Sequence, residues 1–253
     1  MSAAAETVKG GFSLKEWIFT TDHKRVGVLY LIGSLAAFLV AGTMAILMRT
    51  ELAHIGPDIT ANPTTYNTWL YFHGAAMILG FLIPALTGFF ANYLVPLMIG
   101  AKDVAFPRLN AFSFWLYFMG IILALLTFVI PDPPDILWTG YPPYSIITSG
   151  NTSLYTFTVL LMGFSSIVGG INLVTTIIFM RAPGMTWGKL NIFVWCTLSA
   201  FILQIIFVPV VGAAVTMLSL DKYVGTNFFN VAKGGDVLIY QNLFWFYSHP
   251  AVY

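Results

Sequence analysis

The chain alternates long apolar stretches with short polar ones, and the length of the apolar stretches sets the reading. A helix needs about 20 consecutive apolar residues to cross a bilayer. Five complete runs reach that length: 26–48, 69–99, 111–130, 155–180 and 191–219. A sixth begins near Asp236 and is still running at Tyr253. Helices are the expected solution, because lipid offers no partner to unpaired backbone groups and the alternation of barrel strands is missing from the pattern. The pattern predicts an all-α membrane protein of six transmembrane helices, forming a single transmembrane domain over residues 1–253. No charge or interfacial anchor follows the sixth run, so the sequence reads as a fragment of a longer chain.

Composition agrees. The chain is 58% hydrophobic and only 8% charged, where soluble domains carry about 25% charged residues. A net charge of +1 gives no reason to expect a nucleic-acid partner. Residues 1–16 lack the apolar core of a signal peptide, so insertion through an uncleaved first helix is expected. The single cysteine, Cys196, cannot form an internal disulfide and is expected to pack as a small residue. The basic residues fall unevenly. Lys9, Lys15, Lys24, Arg25, Lys102, Arg108, Arg181 and Lys189 lie on one side, against Arg49, Lys222 and Lys233 on the other. The positive-inside rule then places the amino terminus in the cytoplasm. The outer loops carry Asp132-Pro-Pro-Asp135, Trp138-Thr-Gly-Tyr-Pro-Pro143 and Gly234-Gly-Asp236, which read as structured caps.

The chemistry lies in the few polar residues at membrane depth. Of four histidines, His23 precedes the first run and His54 sits in an outer loop, so both are expected to be solvated. His73 and His249 fall inside apolar runs, where an ionisable side chain is a functional candidate. The face of His73 continues through Met77, Gly80, Pro84 and Gly88; such small residues admit either a flat ligand or another helix. A neutral imidazole is a common axial ligand of haem iron. His249 and Tyr253 are four residues apart, on one helical face. That pairing suits copper beside a phenol able to give an electron and a proton, or a simple buried hydrogen bond. Toward the other side, Asn92, Asp103, Asn110, Ser165, Ser166 and Asn172 interrupt apolar sequence. Together they could hold a file of water with a carboxylate at its mouth, although the serines and glycines of 165–170 equally suit helix packing.

These residues resemble the haem–copper oxidase superfamily, specifically the amino-terminal half of its catalytic subunit. The likeness runs through Thr21-Asp-His-Lys24, Met48-Arg-Thr-Glu-Leu52, the block from Asn92 to Asp103, Ala105-Phe-Pro-Arg108, Trp138-Thr-Gly-Tyr-Pro-Pro143 and Gly169-Gly-Ile-Asn172, and ends with the block from Tyr240 to Tyr253. It implies the first half of a twelve-helix bundle. His73 would be an axial ligand of the low-spin haem, with Arg49 beside that haem's formyl edge. His249 would be one of three copper ligands at the oxygen site, Tyr253 the phenol joined to it, and Trp245 a neighbour of the copper. Asp103, Asn92, Asn110, Ser165, Ser166 and Asn172 would form the proton-uptake channel.

The family's usual glutamate, two residues after the copper histidine, is replaced here by Ala251. This matches a bacterial variant in which Tyr247 and Ser248 take over the end of the path. The remaining metal ligands belong to later helices of the family. The resemblance further implies two haems, low-spin and high-spin and of haem A type, together with copper. It implies electrons from cytochrome c or quinol, O2 as substrate, a copper-bearing subunit 2 and a subunit 3 as partners, and a place among the lipids of the bacterial plasma membrane. The expected activity is respiratory reduction of O2 to water, coupled to proton uptake and pumping. A relative that reduces nitric oxide, or a secondary transporter without haem, is the alternative.

Overall fold

The computed structural model describes residues 13–253 and is helical throughout them, with no strand. Lys9, counted above on the basic side, lies outside the described residues. Six helices carry the fold: α1 His23–Glu51, α2 Pro63–Ile99, α3 Pro107–Leu126, α4 Thr152–Phe179, α5 Ile192–Ser219 and α6 Val237–Val252. The first five are long and apolar enough to cross a membrane. The sixth expected run forms α6, a helix of 16 residues with a rise of about 24 Å.

The first four helices start several residues before their apolar runs, because polar residues cap N–H groups that have no partner within a helix. Asp22 accepts from Lys24 and Arg25 N–H at 3.0 and 2.9 Å. Asn62 accepts from Thr64, and Asn151 from Leu154. Helix α3 opens on Pro107, whose missing N–H costs nothing at a helix start. Helix α2 stops at Gly100, which takes φ +72 while Ala101 N–H closes the last turn on the Pro96 carbonyl at 2.8 Å. A Cβ at Gly100 would also lie 2.8 Å from that of Ala182.

Helix α2 is irregular inside. Two π-helical stretches, Ala76–Leu82 and Pro84–Ala91, interrupt it. Two prolines also each remove the N–H that would serve a carbonyl one turn earlier. Near each, a side chain from another helix donates to a carbonyl of the preceding turn. The Tyr117 hydroxyl donates to Gly80 O at 2.7 Å, opposite Pro84, and the His23 imidazole donates from Nδ1 to Asn92 O at 2.7 Å, opposite Pro96. His23 is therefore only 1% exposed, which corrects the expectation of a solvated residue. The backbone gap on α2, which only a side chain can fill at that depth, pulls the ring inward.

Helices adjacent in sequence pack together: α1 on α2, α3 on α4, α4 on α5 and α5 on α6. One end of the bundle carries the 100–106 and 180–191 loops, and is called here the Asp103 face. The other carries the 52–62, 127–151 and 220–236 loops and is called the Asp135 face. An apolar core near the Asp103 face joins Val95, Ile99, Leu173, Ile177 and Val194. A larger one toward the Asp135 face holds Tyr71, Phe72, Tyr155, Val215, Tyr240 and Phe244. Leu39, Ile46, Phe157, Phe179 and Ile192 point outward, as side chains facing lipid do. Cys196 is also exposed, on the side of α5 away from Val194 and Leu198, so it does not pack inside as expected. His54 is exposed and bonded to Asp58, as expected of a loop residue.

The loops of the Asp135 face are tied by side chains. Asp135 accepts from the Tyr144 and Thr148 hydroxyls at 2.5 and 2.8 Å. The carboxylate holds the Tyr144 phenol above its ordinary pKa, so that proton stays in place at neutral pH. Lys222 Nζ donates to the carbonyls of Thr148 and Gly150 and to the Thr152 hydroxyl. Asp221 accepts from Thr226, Phe228 and Phe229.

Candidate functional site

His73 sits on α2, half-buried against α1. Its Nδ1 donates to the Ala41 carbonyl at 2.9 Å. In a neutral imidazole that bond fixes the proton on Nδ1 and leaves the Nε2 lone pair to coordinate, the arrangement found at metal-ligating histidines. Nε2 has no hydrogen-bond partner among the described residues. The site thus fits an axial haem ligand.

The small residues beyond His73 serve a different purpose. A Cβ on Gly74 would lie 2.9 Å from the Trp138 ring, one on Gly80 3.2 Å from Ala37, and one on Gly88 2.4 Å from the Tyr30 ring. Of the two readings open from sequence, packing by this chain's own side chains accounts for all three glycines. Arg49 is exposed at the end of α1, eight residues and therefore about 12 Å beyond Ala41 along the axis.

His249 and Tyr253 come together on α6, with ring centroids 4.8 Å apart in an edge-to-face arrangement, as their spacing requires. Both are exposed. Among the described residues no group of three His, Cys, Asp or Glu side chains gathers to hold a metal. His249 thus fits as one ligand of a set completed by other groups, with Tyr253 beside it. One turn before His249, Trp245 donates from Nε1 to the Tyr141 hydroxyl and packs edge-on against Trp138 and Phe244. Trp138 therefore touches both Trp245 and Gly74, the neighbour of His73, so an aromatic wall joins the two histidine regions. Tyr141 was missed as a site residue; its signal was its place in the Trp138–Pro143 motif, read only as a cap.

The polar residues toward the Asp103 face lie on α2, α3, α4 and the loop after α2. Asp103 is half-buried and accepts from the Val104 N–H. Asn172 accepts from Phe106 N–H at 2.8 Å, fastening the start of α3 to α4. Asn92, Asn110 and Asn172 are all buried, and each keeps at least one amide atom without a protein partner: Asn92 Oδ1, both polar atoms of Asn110, and Asn172 Nδ2. Buried amides left open in this way suit water, since each unpaired polar atom is otherwise costly.

Farther in, the Tyr30 hydroxyl bridges Ser113 and Ser165 at 3.0 and 3.2 Å. Ser113 donates on to the Asn110 carbonyl, and Ser165 to the Ser113 carbonyl. Tyr30 and Ser113 were not singled out from the sequence. Ser113, three residues after Asn110 on an otherwise apolar face, was the available clue. Ser166 bonds back to its own helix at Met162 and lines a cavity of about 20 Å³ that Tyr247 lines as well. Tyr247, four residues before Ala251, thus shares a cavity with Ser166. Ser248 is buried, its hydroxyl without a partner among the described residues.

The family model for cytochrome c and quinol oxidase polypeptide I matches residues 25–253. The chain is 45% identical to cytochrome c oxidase subunit 1 of Thermostichus vulcanus, over 93% of this chain and 42% of that protein. It is 43% identical to cytochrome c oxidase subunit 1 of a Synechocystis species, over 100% of this chain and 46% of that one. With the putative cytochrome c oxidase subunit 1-beta of Streptomyces avermitilis it shares 42% identity, over 98% and 44%. The chain spans less than half the length of these curated relatives. A bundle of helices long and apolar enough to cross a membrane and a family match across nearly all its residues place the chain in the cytochrome c and quinol oxidase polypeptide I family.

Proposed function

We propose that this chain forms part of the catalytic subunit of a terminal respiratory oxidase, which reduces O2 to water with electrons from cytochrome c or quinol. The reading is carried by His73, whose Nδ1 is held by the Ala41 carbonyl while Nε2 stays unpartnered. Haem iron, when bound, supplies reversible electron transfer, and a second haem paired with copper supplies the oxygen-reducing centre. His73 would hold the low-spin haem and His249 the copper, both haems being of the A type, with the charge of Arg49 set toward the low-spin haem. The Ala41 bond keeps the His73 ring from rotating. Trp245, anchored by Tyr141 and Trp138, walls the His249 region and excludes water. Tyr253 stands within reach of His249 to give and receive a proton.

Protons would enter at Asp103 and pass Asn92, Asn110 and Asn172 toward Tyr30, Ser165 and Ser166. Tyr247 and Ser248 would end that path with hydroxyls, where a carboxylate would need a buried charge. The chain would work in the bacterial plasma membrane with its amino terminus cytoplasmic, beside a copper-bearing subunit 2 and a subunit 3, and its uptake of protons would be coupled to pumping. A reduced-minus-oxidised spectrum of the assembled enzyme, taken with and without carbon monoxide, tests the reading. Two haem signals, only one shifted by carbon monoxide, are expected; an intact complex without haem bands overturns it.

A further inference from the structure

Three small spaces run in series through the bundle. The first, about 30 Å³, lies among Tyr30, Asn92, Ser165 and Ser166. The second, about 20 Å³, is the one shared by Ser166 and Tyr247. The third, about 40 Å³, lies between α5 and α6 and is lined by Gln204, Tyr247, Pro250 and Tyr253. Each exceeds the ~10–15 Å³ that one water needs. Ser166 belongs to the first and second, and Tyr247 to the second and third. The path described above uses the first two, and nothing in it uses the third.

Gln204 is the only amide side chain in α5, with Leu203, Ile205 and Ile206 beside it. Its Oε1 is buried and has no partner among the described residues. An unpaired carboxamide oxygen among apolar membrane helices is costly, and water in the adjoining space removes that cost. In the same lining, Pro250 leaves the Phe246 carbonyl without its α-helical donor.

We propose that Gln204 is a positioning residue, its carboxamide holding water in the third space so that the file of water sites continues past Tyr247 along α6. The water site stands on the cavity and the unpaired amide, while the use made of it rests on the oxidase reading. A carboxamide both accepts and donates, so it can orient the water without carrying a charge.

The test compares the assembled enzyme carrying Gln204→Met, which keeps the volume, with one carrying Gln204→Glu, which keeps an acceptor. Proton uptake after an oxygen pulse is followed with a pH dye, and the bound-water O–H band by infrared difference spectroscopy with 18O-labelled water as control. Gln204→Met is expected to lose the water band and slow uptake roughly tenfold, the effect of one lost hydrogen bond on a barrier. Gln204→Glu restores both. Unchanged band and uptake in Gln204→Met, with haem bands intact, overturn the proposal. If Gln204→Met fails to assemble, a high-resolution structure of the unaltered enzyme decides. Water at hydrogen-bond distance from Gln204 Oε1 supports the proposal, and an apolar side chain filling the space overturns it. Absent haem bands in the unaltered enzyme would sink the oxidase reading instead, and leave the water band as the test of the site.

Discussion

His23 and His73 form the same bond at opposite ends of one helix pair, but one ring is enclosed and the other stays half-open. Each imidazole donates from Nδ1 to a helix carbonyl, His23 to Asn92 on α2 at 2.7 Å and His73 to Ala41 on α1 at 2.9 Å. The carbonyls differ. That of Asn92 has lost its helical donor to Pro96, whereas that of Ala41 lies in a continuous helix and takes the imidazole as a second donor. The surroundings differ too: His23 is enclosed, and His73 stays half-exposed. A histidine that repairs a backbone gap is a fastener. One that leans on an already satisfied carbonyl is aimed by it, and its half-exposed ring keeps Nε2 open to a ligand.

The comparison breaks most sharply at the haem. His73→Ala in the assembled enzyme is expected to abolish the low-spin haem band, while His23→Ala leaves both haem signals in place. A low-spin band surviving in His73→Ala would remove the distinction. Next in size are the glycines of the two regions. Gly88→Ala pushes a Cβ to within 2.4 Å of Tyr30, whose ring is buried and whose hydroxyl is fixed by two serines. Overpacking of that kind costs about 1–3 kcal/mol. Gly74→Ala meets the half-buried Trp138 at 2.9 Å, a wider approach than the 2.4 Å at Gly88. The thermal midpoint of the solubilised enzyme should fall clearly more for Gly88→Ala, and equal losses would show that Trp138 is held as firmly as Tyr30.

The smallest effect concerns Pro96. His23→Ala strands the Asn92 carbonyl, at a cost of about 1–3 kcal/mol. In a Pro96→Ala background the helix regains its own donor, so the same change should cost about 1 kcal/mol less in a double-mutant cycle. Full additivity would mean that His23 is buried for some reason other than the missing N–H.

How much of this was legible from the sequence follows from where each cause lies. The five crossings could be read because bilayer thickness imposes a length that composition alone meets. Helix starts fell a turn early because Asp22, Asn62 and Asn151 extend the helices with polar residues that an apolar count ignores. The His249–Tyr253 pair was fixed by spacing within one helix, and it was found. The burial of His23 was missed because its cause, Pro96, lies 73 residues away on another helix. Tyr30, Ser113 and Tyr141 were missed for a related reason, since hydroxyls within apolar or aromatic sequence show their purpose only when the helices around them are placed. The roles of Gly74, Gly80 and Gly88 stayed open until Trp138, Ala37 and Tyr30 were seen against them.

The two π-helical stretches of α2 have a consequence for how such a protein can vary. A helix with a single regular repeat locks the bearings of its two ends together, so turning one end turns the other. In α2 the repeat changes twice between His73 at one end and Asn92 at the other. Each change works as a phase adjustment. Losing or gaining one residue there rotates the His73 end against the Asn92 end without altering the chemistry of either. The bearings of His73 and Asn92 can therefore be set separately along one polypeptide, by changes of length and not of side chain.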